Sequence, residues 1–455
     1  MDYSAANHAL WNIVVQFGLM AGAILLANLL RQKLAFIRKS MIPIAVLAGF
    51  LLLFAKIAGL ITLDQTMMEI LVYHSIALGF IAMSLRVPEE TSGGKGDLTG
   101  FKSGAIIVSS YLVQGVTGLL ITILLGATVM PQLFPASGLL LPMGYGQGPG
   151  QANNVGSSYE ALGFAGGRSF GLAIAAAGYL VACVVGVVIL NVLSRRGKVG
   201  QRRVSIGEQP AADFFQGKDE IPISDSIDKL SIQLALILLV YVATYLCAWG
   251  ITSGLSAISE GLASTLNALI WGFNFIIGAA LAMLTRVLLA HGKRTGVVLR
   301  QYQNNYLLNR LSGFFFDVMI VAGIASINPE DIRGLWLPFV LLVVAGAIVT
   351  WFHLAFVSRY VYRDYYYEGL ISMYGMLTGT ISSGVLLLRE IDPDLSTPAA
   401  NNLVIGSSFG IVLGAPVLVL VGIAPRSPWL VVLLAAVYCA VLYAVILKAR
   451  RKKKD

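Results

Sequence analysis

Between Gly144 and Gly150 the chain reads Gly-Tyr-Gly-Gln-Gly-Pro-Gly, four glycines and a proline in seven residues. No helix continues through such a run, because glycine loses the most backbone freedom on ordering and proline lacks the N–H that a helix interior needs. Gln151-Ala152-Asn153-Asn154 follow. A helix that begins there presents free N–H groups and the positive end of its dipole, a setting suited to an anion. Gly146, Gln147, Gly148, Gly150, Gln151, Asn153 and Asn154 are therefore the candidate substrate-binding residues. The run is no phosphate-binding P-loop, since no Lys-Ser or Lys-Thr follows the glycines. Its plainer reading is a surface connector with no role.

A second glycine-broken stretch reads Tyr374-Gly-Met-Leu-Thr378-Gly379-Thr380-Ile-Ser382-Ser383-Gly384. Hydroxyl and carbonyl oxygens are hard ligands that suit a small hard cation or the hydrogen bonds of a carboxylate. Thr378, Gly379, Thr380, Ser382 and Ser383 are the candidate ion ligands, with Na⁺ as the ion. Residues this small also serve close helix packing in membranes, which is the competing reading. Asp317, in Phe-Phe-Phe-Asp-Val-Met-Ile, is the most isolated acid in any apolar run and a further ion candidate, although pairing with Arg310 or snorkelling explains it equally well. Asn401 and Asn402 open another apolar run and are candidate auxiliary substrate ligands.

Other chemistry is sparse. His74 and His353 stand singly and read as hydrogen-bonded packing residues, and Cys183, Cys247 and Cys439 lie in apolar runs without metal or redox spacing. No nucleophile–base pair, carboxylate pair or metal cluster falls at a shared depth, so an enzyme is not expected, nor is an organic cofactor.

The elements that must position these residues follow from composition. Of 455 residues 57% are hydrophobic and 12% charged, against roughly 45–50% and 25% in soluble domains. A soluble fold cannot hide that much apolar surface, so the chain reads as an all-α polytopic membrane protein with lipid as its solvent. Apolar runs of spanning length lie at 11–30, 41–62, 67–85, 105–130, 170–193, 230–249, 262–284, 311–327, 335–357, 401–423 and 429–447, eleven in all. The two broken stretches, 137–167 and 366–390, are kept apart as re-entrant hairpins, because irregular backbone survives at membrane depth only when buried in protein or facing a wet cavity.

Charge sets the orientation. With the N-terminus outside and both broken stretches returning to the side they left, 28 of the 32 Lys and Arg residues fall on inner segments, including the tail at 448–454. This bias predicts an N-out, C-in protein of the cell (inner) membrane and explains the net charge of +9 without nucleic acid. The same parity gives two five-helix units of opposite orientation, 1–193 and 230–424, each with its hairpin before its last helix. A cytoplasmic linker at 194–229 joins them, and 425–455 adds an eleventh helix and a basic tail. Inverted repeats with broken segments at matching places are a common plan of secondary transporters.

With both hairpins in view the chain resembles the sodium/glutamate symporter family, as a distant subfamily, over residues 1 to 424. The resemblance rests on Arg38-Lys39-Ser40-Met41-Ile42-Pro43 with Ala48-Gly49, on Gly146-Gln147-Gly148-Pro149-Gly150, and on Tyr367-Glu368 ahead of Gly375 and Gly379. The chain departs from the family where the first tip commonly reads Gly-Gly-His-Gly-Thr, and in having helix eleven. The resemblance implies a ten-helix inverted repeat, a homodimer, an elevator-type carrier, and sodium-coupled symport of glutamate or a related small carboxylate. A carrier of another organic anion and a non-transporting receptor or scaffold subunit are the alternatives.

Overall fold

The computed structural model describes residues 3–4, 7–35, 37, 42–87, 98–199, 226–258, 267, 270–272, 274–296, 302–392 and 397–448, without the side chains of Ala9, residues 226–229 and Ser382. Most of the 194–229 linker, the Arg38–Met41 part of the family-like motif and the basic tail beyond Lys448 lie outside the described residues. Among the described residues there are helices and no strand. Among the described residues ten helices are long and apolar enough to cross a membrane.

Nine of the expected runs reappear as helices with shifted ends: α1 (His8–Lys33), α3 (Gln65–Leu85), α4 (Thr99–Thr128), α7 (Gly167–Arg195), α8 (Ser226–Ile258), α10 (Asn305–Ala325), α11 (Trp336–Val361), α14 (Ala399–Ile423) and α15 (Pro428–Leu447). Two expectations need correction. The run at 41–62 yields only α2 (Ile44–Ile57), whose 14 residues reach about 21 Å, short of a hydrocarbon core of roughly 30 Å. Pro43 precedes its start, and the chain turns past its end at Gly59, where φ is +70°. The run at 262–284 extends ten residues past its expected end: α9 (Asn274–Arg294), described from Asn274 on, carries the basic His291, Lys293 and Arg294 in its last turn. Those three face the negative end of the helix dipole, a stabilising placement that an apolar-window reading overlooks.

The broken stretches are pairs of short helices. A 3₁₀ turn (Pro135–Leu139) runs into α5 (Leu140–Tyr145), and after a break comes α6 (Pro149–Glu160). In the second stretch α12 (Tyr366–Thr378) is followed, after Gly379 and Thr380, by α13 (Ile381–Arg389). The longest of the four, α12 with 13 residues, spans about 20 Å, so none crosses a bilayer alone.

The chain forms two compact units that each draw on both halves of the sequence. The first contains residues 1–69, 95–204 and 320–455, and the second 70–94 and 205–319. In the first unit α4 packs against α11, α14 and α15, and α7 packs against all four short helices. The eleventh expected helix, α15, is thus integral to this unit: Tyr438 donates to the Leu413 carbonyl (2.6 Å), and Lys102 donates to the carbonyls of Ile446 and Lys448 at its C-terminal end (3.1 and 2.8 Å). His353 is a packing residue, its Nδ1 against Tyr443 Oη (2.7 Å) and its Nε2 against Ser109 Oγ (3.2 Å). The Lys56 ammonium donates to the carbonyls of Ala325 and Ile327 at the end of α10 (3.2 and 3.0 Å), where a cation meets the negative end of the helix dipole. Arg168 pairs with Glu69 at 2.6 Å, and its backbone N–H donates to Glu160.

The second unit is held by an apolar core of Ile81, Ala82, Leu85, Ile237, Val240, Ala282 and Leu308. Arg286 donates to the carbonyls of Ser84 and Arg86 at the end of α3, and His74 Nδ1 lies 2.6 Å from Tyr241 Oη.

Candidate functional site

The first break is built by residue type. Gly146 ends α5, donating its N–H to the Pro142 carbonyl (3.0 Å). Gly148 then takes φ +84°, a conformation costly to any residue with a Cβ, and Pro149 starts α6 at the position where its missing N–H costs nothing. No side chain caps this N-terminus and no acidic residue sits in its first turn. Gly150, for which a special conformation or a close approach is the natural expectation, lies in the first turn of α6 and is absent from the positive-φ glycines. Gln147 is half-buried, whereas Gln151 is 1% exposed, and Asn153 and Asn154 are buried with it.

Two of these amides, Gln151 and Asn153, keep atoms that the described residues do not use. Among the described residues neither the nitrogen nor the oxygen of the Gln151 amide has a hydrogen-bond partner, and nor does Asn153 Oδ1. Asn153 Nδ2 donates only a long contact, 3.5 Å, to Asn154 Oδ1. A buried amide atom left without a partner costs about 1–3 kcal/mol, so the fold carries a penalty here that a hydrogen-bonding ligand would relieve.

The second break is arranged differently. Thr378 turns its hydroxyl back to the Tyr374 carbonyl of its own helix (2.8 Å). Thr380 is the N-cap of α13: its oxygen accepts from the Ser383 N–H and lies against Ser383 Oγ, both at 3.5 Å. The Gly379 N–H closes α12 on the Gly375 carbonyl (3.1 Å). The Ser382 side chain, also a candidate ligand, lies outside the described residues. Three candidate hydroxyls therefore stand at one turn, and Thr380 with Ser383 keeps two oxygens together that lone-pair geometry leaves open to a cation.

Both breaks converge on one stretch of α7. A Cβ on Gly178 would overlap the Thr378 carbonyl oxygen and come within 2.9 Å of the Tyr145 ring, so only glycine lets α7 meet both breaks there. One residue on, the Tyr179 hydroxyl lies 3.6 Å from the place a Gly148 Cβ would occupy, and the Ala182 Cβ lies 3.2 Å from the place a Gly379 Cβ would occupy. From α4, Gln114 donates its amide N–H groups to Thr350 Oγ1 (2.8 Å) and to the Leu377 carbonyl beside the second break (3.0 Å), while its Oε1 has no partner among the described residues. Tyr145 donates to the Val343 carbonyl (2.8 Å), and the buried Tyr374 ring stands edge-on to Trp351, its hydroxyl without a partner among the described residues. Neither 145–154 nor 374–388 contains an Asp, Glu, Lys or Arg. The arrangement is a buried, uncharged, amide- and hydroxyl-lined junction that includes one uncapped helix N-terminus.

Asn402 donates to the Tyr365 hydroxyl (2.6 Å) at the N-terminal end of α12, and Asn401 is exposed beside it. Asp317 is exposed on α10, within the second unit. Among the described residues no group of three or more His, Cys, Asp or Glu could hold a metal ion. Gln114, Tyr145, Tyr374 and Gly178 are junction residues that the sequence did not single out. Gln114 was findable as the amide in the middle of the 105–130 run, but Gly178, one of 48 glycines, carries no signal of its own. In comparisons with known proteins, no family model and no curated relative matches the chain.

Proposed function

We propose that the protein is a sodium-coupled secondary transporter, a symporter of glutamate or a related small carboxylate, of elevator type and homodimeric. The observation that carries this reading is the meeting of two helix breaks on Gly178, with both Gln151 amide atoms and Asn153 Oδ1 buried and without a partner among the described residues at the first. In lipid, such backbone is tolerated where it lines a site, and broken helices at matching places in two halves are a transporter plan. The breaks are then the tips of re-entrant hairpins, the halves 1–193 and 230–424 inverted repeats, and the termini N-out and C-in in the cell membrane, as the basic-residue bias supports. The α6 N-terminus with Gln151 and Asn153 holds the substrate carboxylate. Thr380 and Ser383 supply oxygens to Na⁺ at the second tip, and the division into two compact units suits a carrier in which one body moves against another.

A second reading has its own observation. No basic side chain lies in either break, so the junction also suits a less highly charged organic anion than glutamate. Uptake of labelled carboxylates by purified protein in liposomes, with and without a Na⁺ gradient, tests both. Glutamate accumulation driven by Na⁺ supports the first, accumulation of another acid alone supports the second, and no uptake of any acid removes the transporter reading in favour of a receptor or scaffold.

A further inference from the structure

In the first unit a groove of about 390 Å³ runs between α7 and α11, with Tyr374 among its lining residues. One wall is Val181, Val185 and Ile189, and the other is Val344, Ile348 and Phe352. Each set repeats at i, i+4 and i+8, so the groove follows both helices lengthwise for about 12 Å. Both helices are of membrane-crossing length, and Val344, Ile348 and Phe352 are 51%, 53% and 68% exposed, so the groove opens toward the surrounding lipid. Tyr374, by contrast, is 1% exposed.

We infer that this groove holds one acyl chain of a membrane phospholipid as an ordered ligand. An apolar concavity of this kind does not retain water, and its lining atoms forfeit dispersion contacts unless hydrocarbon fills it. Its volume falls in the usual range of ligand pockets, about 300–1,000 Å³. The groove is linear, parallel to helices that cross the bilayer, and lined without any charged side chain, which is the shape and chemistry of a single hydrocarbon chain. The inference stands independently of the transport reading.

The test is photolabelling in liposomes with a phospholipid that carries a diazirine in its acyl chain, followed by proteolysis and mass-spectrometric mapping. Adduct yield on 181–189 and 343–352 should exceed that at Val437 and Val441, which are 55% and 54% exposed on α15, by about tenfold, equivalent to 1.4 kcal/mol. Ala347→Phe should bring the groove yield down to the α15 level and leave Val437 and Val441 unchanged. Should that variant not insert, Ile348→Trp fills the same groove from its open side. Equal yields at groove and α15, a yield unchanged by filling, or crosslinks from the groove to a second protein copy would each overturn the inference.

Discussion

The two breaks meet the same helix yet treat their polar groups in opposite ways. At the first, the Gln151 amide is buried without a partner at either atom among the described residues, whereas at the second Thr378 and Thr380 bond within their own helices. The difference lies in side-chain reach. A threonine hydroxyl is close enough to its own backbone to bond the carbonyl four residues back or the N–H three residues on, so the second turn can stabilise itself. A glutamine in the first turn of a helix behind a glycine–proline start has no such local partner. The first break is thus the better candidate for recognition, and the second for a formed turn that adds oxygens to an ion.

The largest effect expected is at the point the two breaks share. Gly178→Val should drive both away from α7 at a cost of at least about 1–3 kcal/mol, with uptake falling to background and a lowered thermal midpoint by size-exclusion fluorescence. Unchanged uptake would mean that the junction is not a site. Next is Gly148→Val, where a β-branched residue must take φ +84° at about 1–3 kcal/mol, disturbing the first break alone.

Gln151→Leu sharpens the contrast because its two readouts part. The substrate concentration for half-maximal uptake should rise about tenfold or more through loss of a hydrogen bond to a charged ligand, while substrate-free stability stays level or improves as an unpartnered buried amide disappears. A fall in substrate-free stability would show that Gln151 is structural. Thr380→Ala should do the reverse, lowering stability by about 0.5–1 kcal/mol through loss of the cap, and raising the Na⁺ concentration for half-maximal uptake. Smallest of all is Thr378→Val. Its hydroxyl only bonds back along α12, so stability should move within about 0.5 kcal/mol and the Na⁺ dependence should not move. A Na⁺ shift at Thr378 as large as at Thr380 would return it to the ion site.

Much of this was legible residue by residue. Gly148-Pro149 announces a break and a helix start in two letters, and Thr380-Ile-Ser-Ser383 announces another, because backbone geometry at glycine, proline and an N-cap is decided locally. Where the reading failed, local rules were incomplete. The 41–62 window is apolar throughout except Lys56, so hydropathy could not show that α2 stops at Ile57. Asn402 reads as a free amide at a helix start, yet Tyr365, 37 residues away, takes its hydrogen bond.

By itself the sequence determined that the chain is a bundle of apolar helices with two interrupted segments, since the energy of a lipid-facing surface and the conformational limits of glycine and proline belong to the residues themselves. Only the tertiary structure decided that both interruptions come to Gly178, that Gln114 reaches the second from α4, and that Asn402 gives its amide to Tyr365. Those outcomes depend on which helices lie side by side. Side-chain packing between segments hundreds of residues apart sets that arrangement, and no spacing along the chain encodes it.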